Sequence, residues 1–126
     1  MIKSILAVIF ATLLIVAGVN HFVNPAFYNP FIPDFLPKNA VNYVAGFLEF
    51  ALGVGLLIPR YRSISARGVF VLMIVFLPLH VMDVFIENPA IGSKTVAYIR
   101  LPLQFVLIYW AYFLSKRERK SDSSTN

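Results

Sequence analysis

Cysteine is absent from this sequence, and charged side chains are scarce. The chain of 126 residues has no cysteine, and only 13% of its residues are charged. Without cysteine the chain can form no disulfide, no thiol redox couple, no thiolate metal site and no cysteine-bound iron–sulfur cluster. Any redox role would therefore need a bound organic cofactor or a partner subunit.

The composition is strongly hydrophobic. Hydrophobic residues make up 59% of the chain and give a mean hydropathy of +0.75, whereas a soluble domain is about 45–50% apolar even when glycine is counted. The length suits one domain. The net charge of +5 is carried mainly by basic residues near the ends of the apolar runs, which favours contact with anionic lipid headgroups over nucleic acid.

Four apolar runs predict an all-α fold, a transmembrane four-helix bundle. The runs cover residues 4–22, 40–58, 68–86 and 96–114, and each is near the ~20 residues that cross the hydrocarbon core of a bilayer. We expect residues 1–115 to form the membrane domain and residues 116–126 a basic, disordered tail. The first run resembles a signal peptide, but its length and its poor cleavage site favour an uncleaved helix.

The distribution of basic residues predicts the orientation of the spans. One side of a four-span protein would carry Lys3, Arg60, Arg62, Arg67, Lys116, Arg117, Arg119 and Lys120. The loops on the other side hold only Lys38 and Lys94, apart from Arg100 inside the fourth run. The positive-inside rule then predicts a multi-pass protein with both termini in the cytoplasm.

The segment between the first two runs, VNPAFYNPFIPDFLPK, is rich in proline and aromatic residues. Its four prolines exclude a long regular helix. Its aromatic residues are too apolar for an ordinary solvated loop, and they are Phe27, Tyr28, Phe31 and Phe35. The segment is expected either to lie in the outer membrane interface or to fold over the bundle as a lid, in which case Phe31 and Phe35 would be buried.

Small and polar residues recur together on one face of the predicted spans. At helical spacing these faces hold Ala7, Ala11, Gly18 and His21; Gly46, Glu49 and Gly53; and Ala97, Arg100, Gln104 and Ala111. In the third run His80 and Asp83 are three residues apart and follow Pro78, which should leave the carbonyl near Ile74 in need of a partner. Small residues mark helix contacts in membranes, so these faces should point into the bundle.

Six polar residues thus predict a site in the outer half of the bundle. They are Glu49, Arg100, Gln104, His80, Asp83 and His21. A lone charge at a helix centre costs about 2.5–3.5 kcal/mol, so Arg100 should pair with Glu49 or Asp83. Three of them also have a simpler interpretation: Arg100 as a snorkelling anchor, Gln104 as a bond between helices, and His21 as a cap or an interface residue. The spacing of histidines and carboxylates gives no metal motif and little support for haem.

Several segments together resemble the DoxX family of small four-helix integral membrane proteins. They are GVNHFVNPAFY, IPDFLPK, YVAGFLEFALGVGLLIPRYR, FLPLHVMD and IRLPLQFVLIYW, and they run from Gly18 to Trp110. Many members of that family have asparagine where this chain has His80. The resemblance implies a bacterial protein of the cytoplasmic membrane and, for some relatives, a link to quinol oxidases or other quinone-linked oxidoreductases.

Three functions remain open from the sequence. The first is a binding or accessory subunit that holds a lipophilic small molecule, such as a quinone, for a redox partner subunit. The second is a purely structural subunit whose polar network fixes the helix register. The third is a small membrane enzyme that uses His80, Glu49 and Asp83 as acid and base on a lipophilic substrate. No catalytic residue and no cofactor other than quinone is indicated.

Overall fold

The computed structural model describes residues 2–32, 34–85 and 94–116, without the side chains of Phe31 and Asp83. The α-helices in these ranges are α1 (Ile2–Val23), α2 (Pro25–Tyr28), α3 (Lys38–Leu57), α4 (Arg62–Phe85) and α5 (Lys94–Ser115), with 3-10 helices at Asn29–Phe31 and Pro59–Tyr61. The described ranges contain no β-strand. The predicted all-α fold is confirmed, while the predicted tail lies mostly outside the described residues.

The four long helices α1, α3, α4 and α5 are long and apolar enough to cross a membrane. This confirms the expectation of a multi-pass membrane protein. One boundary differs clearly, because α4 begins at Arg62 and the third apolar run was predicted to begin at residue 68. The Nε of Arg62 donates a hydrogen bond to the Leu56 carbonyl at 2.8 Å. Helix α4 thus begins six residues before the apolar run, in polar residues that hydropathy does not include.

Helices α1 and α3 pack most closely of all, and α4 packs mainly on α5. The first pair meets through glycines: a Cβ added to Gly18 would lie 2.7 Å from the Gly46 carbonyl oxygen, and one added to Gly46 would lie 2.9 Å from the Gly18 carbonyl oxygen. Such a close approach of two backbones is typical of small residues in membrane helices. Contact between the two pairs is less extensive, so the bundle consists of two tight helix pairs with a seam between them.

The small-residue faces predicted from the sequence are buried, with Arg100 partly exposed. Buried positions include Ala7, Ala11, Gly18, His21, Gly46, Glu49, Gly53, Ala97, Gln104 and Ala111. Trp110 packs against the core, with its ring centroid 4.7 Å from that of Phe10.

The start of α1 and the end of α5 lie at one end of the bundle, which we call the terminal end. There Arg62 donates from Nη1 to Ser4 Oγ at 3.2 Å, Ser63 donates to the Ser115 carbonyl at 2.6 Å, and Lys3 donates to the Lys116 carbonyl. These bonds connect the start of α1, the start of α4 and the end of α5. The opposite end, where α1 leads into α2, is called the α2 end.

The proline-rich segment at the α2 end forms short turns, and one lysine makes hydrogen bonds and an ion pair with them. Lys38 Nζ donates to the carbonyls of Asn29 at 3.1 Å and Ile32 at 2.6 Å and pairs with Asp34 at 3.3 Å. The expectation that Phe35 is buried is wrong, since this residue is 84% exposed. The lysine bonds hold the backbone in place without any contribution from Phe35. The prediction for the Phe31 side chain lies outside the described residues.

Candidate functional site

A cavity of about 300 Å³ lies in the seam between the two helix pairs at the α2 end. Its walls are mostly apolar and come from α1, α3, α4, α5 and the segment after α1. The polar residues that line it from the four long helices are His21, Asn42, Glu49, His80, Arg100 and Gln104. An apolar chamber with a few polar side chains is typical of a small-molecule site.

Five of the six residues predicted for the polar site line this one cavity. They are His21 from α1, Glu49 from α3, His80 from α4, and Arg100 and Gln104 from α5. The sixth, Asp83, belongs to α4, but its side chain lies outside the described part of the structure. The fold thus brings together residues that are up to 83 positions apart in the sequence (104 − 21). Their role as ligand contacts stays a prediction.

The buried carboxylate of Glu49 pairs with His21. Its Oε2 lies 3.4 Å from Nε2 of His21, and both side chains are less than a tenth exposed. Of the two carboxylates expected to pair with Arg100, Glu49 forms no bidentate pair, because its Oε1 has no hydrogen-bond partner among the described residues. The reason is helix packing: a Cβ on Gly46 would lie 2.6 Å from Cβ of His21, so the close approach of α1 and α3 brings the imidazole to Glu49. The alternative partner of Arg100, Asp83, has its side chain outside the described part of the structure, so that pairing stays a prediction.

Asn42 is central to the network, and the sequence-based search overlooked it. The residue is fully buried, and its Oδ1 lies 3.0 Å from Nδ1 of His21. Its Nδ2 donates to the Pro25 carbonyl at 3.2 Å and to Oδ1 of Asn29 at 2.9 Å. The same helical spacing that singled out Gly46 and Glu49 also includes Asn42, four residues before Gly46. The residues predicted for the site included the amide Gln104 but not Asn42, which lies at the start of the predicted run 40–58.

Tyr28 closes the cavity on the side of α2. Its ring stacks on the imidazole of His21, with centroids 3.7 Å apart, and its hydroxyl accepts a hydrogen bond from Nδ2 of Asn20 at 2.9 Å. Phe27 and Ile32 line the cavity beside it. Burial raises the pKa of the Tyr28 phenol, with a smaller opposing effect of the Asn20 hydrogen bond. We call residues 24–32 the α2 segment, and three of its side chains, Phe27, Tyr28 and Ile32, line the cavity.

Gln104 links the two helices of the second pair. Its Nε2 donates to the Met73 carbonyl at 2.8 Å. The sequence predicted a bond within the bundle for the carbonyl of Ile74, which Pro78 deprives of its helical donor. The bond goes instead to the carbonyl of the preceding residue, Met73, which is buried, whereas Ile74 is 42% exposed. Gln104 therefore acts in part as a bond between helices, one of the two interpretations of this residue.

Comparison with known families corrects the resemblance drawn from the sequence. Residues 10–115 match the model of a family described as Domain of unknown function (DUF8561). The resemblance to the DoxX family is wrong, since the match is to a different family. The implied bacterial origin and the implied link to quinol oxidases lose their basis with it. No curated protein and no solved structure matches the chain.

Proposed function

The chain belongs to the family described as Domain of unknown function (DUF8561), and from its site we propose that it binds a lipophilic small molecule in the cavity between the helix pairs. The ligand would be of the size and character of a quinone-like ring compound, and the protein would act as a binding or accessory subunit in a membrane. A redox partner subunit would be one user of such a ligand.

One observation carries the proposal: a buried carboxylate oxygen without a partner, on a residue that lines an apolar chamber. Glu49 is 5% exposed, lines the cavity, and its Oε1 has no hydrogen-bond partner among the described residues. A buried polar atom left unsatisfied costs about 1–3 kcal/mol. A ligand with a polar head would remove that cost, while its apolar body would fill the space between Phe76, Leu79 and Leu103, which also line the cavity.

Native mass spectrometry of three proteins tests this proposal. They are the wild type, the cavity-filling variant Ala45→Leu and the control Ala51→Leu. Ala45 lines the cavity, whereas Ala51 is an exposed position on the same helix, so both variants add the same atoms to α3. We expect the wild type and Ala51→Leu to retain one lipophilic species from the membrane, identified after organic extraction, and Ala45→Leu to lose it.

Two results would contradict the proposal. One is the absence of any retained lipophile in the wild type when it is purified in a mild detergent. The other is the same set of adducts in all three proteins, which would indicate bulk lipid at the outer surface. Unfolding of Ala45→Leu in detergent is measured alongside, so that loss of the ligand is compared in proteins that are equally folded.

A second candidate function is acid–base catalysis on the bound lipophile. The observation in its favour is the pair of His21 and Glu49, whose Nε2 and Oε2 are 3.4 Å apart at the cavity, within reach of proton transfer once a substrate tightens the site. The test is incubation of the retained lipophile with the protein. Conversion of the lipophile by the wild type but not by His21→Gln supports an enzyme. A lipophile that stays unchanged with the wild type supports a binding protein.

We also propose that both termini face the cytoplasm and that the protein resides in the cytoplasmic membrane. Basic residues support this, because the terminal end holds Lys3, Arg60, Arg62, Arg67 and Lys116, whereas the α2 end holds Lys38 and Lys94. The natural lack of cysteine makes single-cysteine labelling direct. Asp34→Cys should react with an impermeant maleimide in intact cells, and Lys116→Cys only after permeabilisation. The reverse pattern would overturn the orientation.

A further inference from the structure

The bonds of Asn42 determine which nitrogen of His21 carries a hydrogen. One amide atom of Asn42 lies 3.2 Å from the Pro25 carbonyl oxygen. A backbone carbonyl only accepts hydrogen bonds, so that amide atom must be the nitrogen, Nδ2. The amide oxygen then faces Nδ1 of His21 at 3.0 Å. Because an amide oxygen also only accepts, Nδ1 of His21 must carry the hydrogen and donate it to Asn42.

One hydrogen must then lie between His21 and Glu49. Their facing atoms, Nε2 and Oε2, are 3.4 Å apart and buried, and two bare lone pairs in this position would repel each other. The hydrogen is held either by Oε2, which makes both groups neutral, or by Nε2, which makes an ion pair. The two side chains together carry no net charge in either case. In both cases Oε1 of Glu49 carries no hydrogen and can only accept.

From this geometry we infer that the ligand is a lipophile with a neutral hydroxyl group, such as a phenol, a hydroquinone or an alcohol, and that its O–H donates to Oε1 of Glu49. The inference rests on the proposed binding function and narrows its ligand class. Oε1 is buried and has no partner among the described residues, and Glu49 lines the cavity. A quinone offers only acceptors and would leave this oxygen unsatisfied.

A neutral donor fits this cavity better than a cationic one. An ammonium group would enter an apolar chamber in which the pair of His21 and Glu49 supplies no net negative charge, and a buried charge needs such compensation. Aromatic side chains also line the cavity, namely Phe27, Tyr28 and Phe76, and ring contacts favour an aromatic body. Among hydroxyl lipophiles, phenols and hydroquinones therefore fit best.

A matched pair of probes tests the role of the hydroxyl. The probes are para-hexylphenol and its methyl ether, para-hexylanisole, titrated calorimetrically into the wild type in detergent. The ether has a similar shape but no donor. We expect the phenol to bind about tenfold more tightly, the ratio that corresponds to one hydrogen bond to an otherwise unsatisfied buried acceptor. Titration of Ala45→Leu, whose cavity is filled, gives the signal that comes from partition of the probes into the micelle. Titration of Ala51→Leu is the control for adding a leucine to α3.

Variants of Glu49 separate hydrogen bonding from packing. In Glu49→Gln the amide nitrogen can donate to Nε2 of His21, which leaves the amide oxygen as an acceptor in the place of Oε1. This variant should keep the preference for the phenol. Glu49→Met has a similar length and no acceptor, so it should bind the two probes equally. Loss of the preference in Glu49→Gln together with its retention in Glu49→Met would overturn the assignment of Oε1 as the acceptor.

The outcomes distinguish this inference from the proposed function. Equal affinity of both probes for the wild type, with weaker binding to Ala45→Leu, would leave a lipophile site but overturn the hydroxyl requirement. Binding of neither probe, with no ligand retained from the membrane, would overturn both. Equal affinity of each probe for the wild type and Ala45→Leu would mean partition into detergent only and would also overturn both.

Nuclear magnetic resonance checks the hydrogen assignment without any ligand. In the nitrogen-15-labelled protein, whose two histidines are distinguished with the His80→Gln variant, Nδ1 of His21 should carry a hydrogen. Asn42→Leu removes its acceptor, so in that variant the hydrogen on Nδ1 should be lost or exchange faster. A His21 ring with a bare Nδ1 in the wild type would contradict the assignment on which the hydroxyl inference depends.

Discussion

The imidazole of His21 lies almost parallel to the phenol ring of Tyr28, with ring centroids 3.7 Å apart and an angle of 18° between the planes. This contact joins the α2 segment to α1 at the residue that also binds Asn42 and Glu49. The position of the α2 segment and the geometry of the polar network are therefore coupled through one side chain.

Substitutions at Tyr28 should separate its hydrogen bond from its ring contact. Tyr28→Phe loses the bond from Asn20 and should lower the free energy of unfolding by about 0.5–1.5 kcal/mol. Tyr28→Leu also loses the stacking, which should remove about a further 0.5–1.5 kcal/mol. Unfolding in mixed micelles measures both. Tyr109→Leu, at an exposed position on α5, is the control, and a loss there as large as in Tyr28→Leu would contradict the specific role of the ring.

Gly46→Ala should weaken the pairing of α1 with α3. The added Cβ would lie 2.6 Å from Cβ of His21 and 2.9 Å from the Gly18 carbonyl oxygen. Both distances are too short, and relieving them requires the backbones of α1 and α3 to move apart. We expect the free energy of unfolding to fall by about 1–3 kcal/mol. In Gly68→Ala the nearest atom is a terminal methyl of Leu52 at 2.7 Å, which can rotate away. That variant should therefore lose less, and equal losses would argue against a rigid glycine contact.

Gln104→Leu should loosen the contact of α5 with α4. The change removes the bond to the Met73 carbonyl, and interhelical bonds of this kind contribute about 0.6 kcal/mol on average and up to about 1.7 kcal/mol. The same unfolding assay measures the loss. Val106→Ala, at an exposed position on α5, should change stability little. A Gln104→Leu protein as stable as the wild type would show that the bond contributes nothing.

Tyr28 should ionise at a higher pH than an ordinary tyrosine. Burial raises the pKa of its phenol, while a tyrosine in the unfolded chain ionises near pH ~10. The phenol of Tyr28 therefore stays protonated to a higher pH in the folded state than in the unfolded chain. The contribution of the protonated phenol to the free energy of unfolding is complete below pH ~10 and is lost as the pH rises towards the folded pKa. Ultraviolet difference titration should show one late component among the six tyrosines, absent in Tyr28→Phe. Its persistence in Tyr28→Phe would assign it to another tyrosine.

The sequence alone determined the helical architecture and the inward faces. Apolar runs of membrane-spanning length and the spacing of small residues depend only on local periodicity, which a linear sequence contains in full. This is why Gly18 and Gly46 were correctly expected at helix contacts, and why His21, Glu49 and Gln104 were expected to point inward. The same periodicity also places Asn42 on the inward face of α3, four residues before Gly46.

Only the tertiary structure decided which polar residues meet. Periodicity gives the face of each helix but not the distance between helices, so it could not tell whether Glu49 would reach Arg100 or His21. The glycine contact of α1 with α3 brings His21 within 3.4 Å of Glu49 and leaves the cavity in the looser seam towards α4 and α5. Backbone approach at two glycines, a property of packing and not of sequence spacing, thus selected the partner of the buried carboxylate.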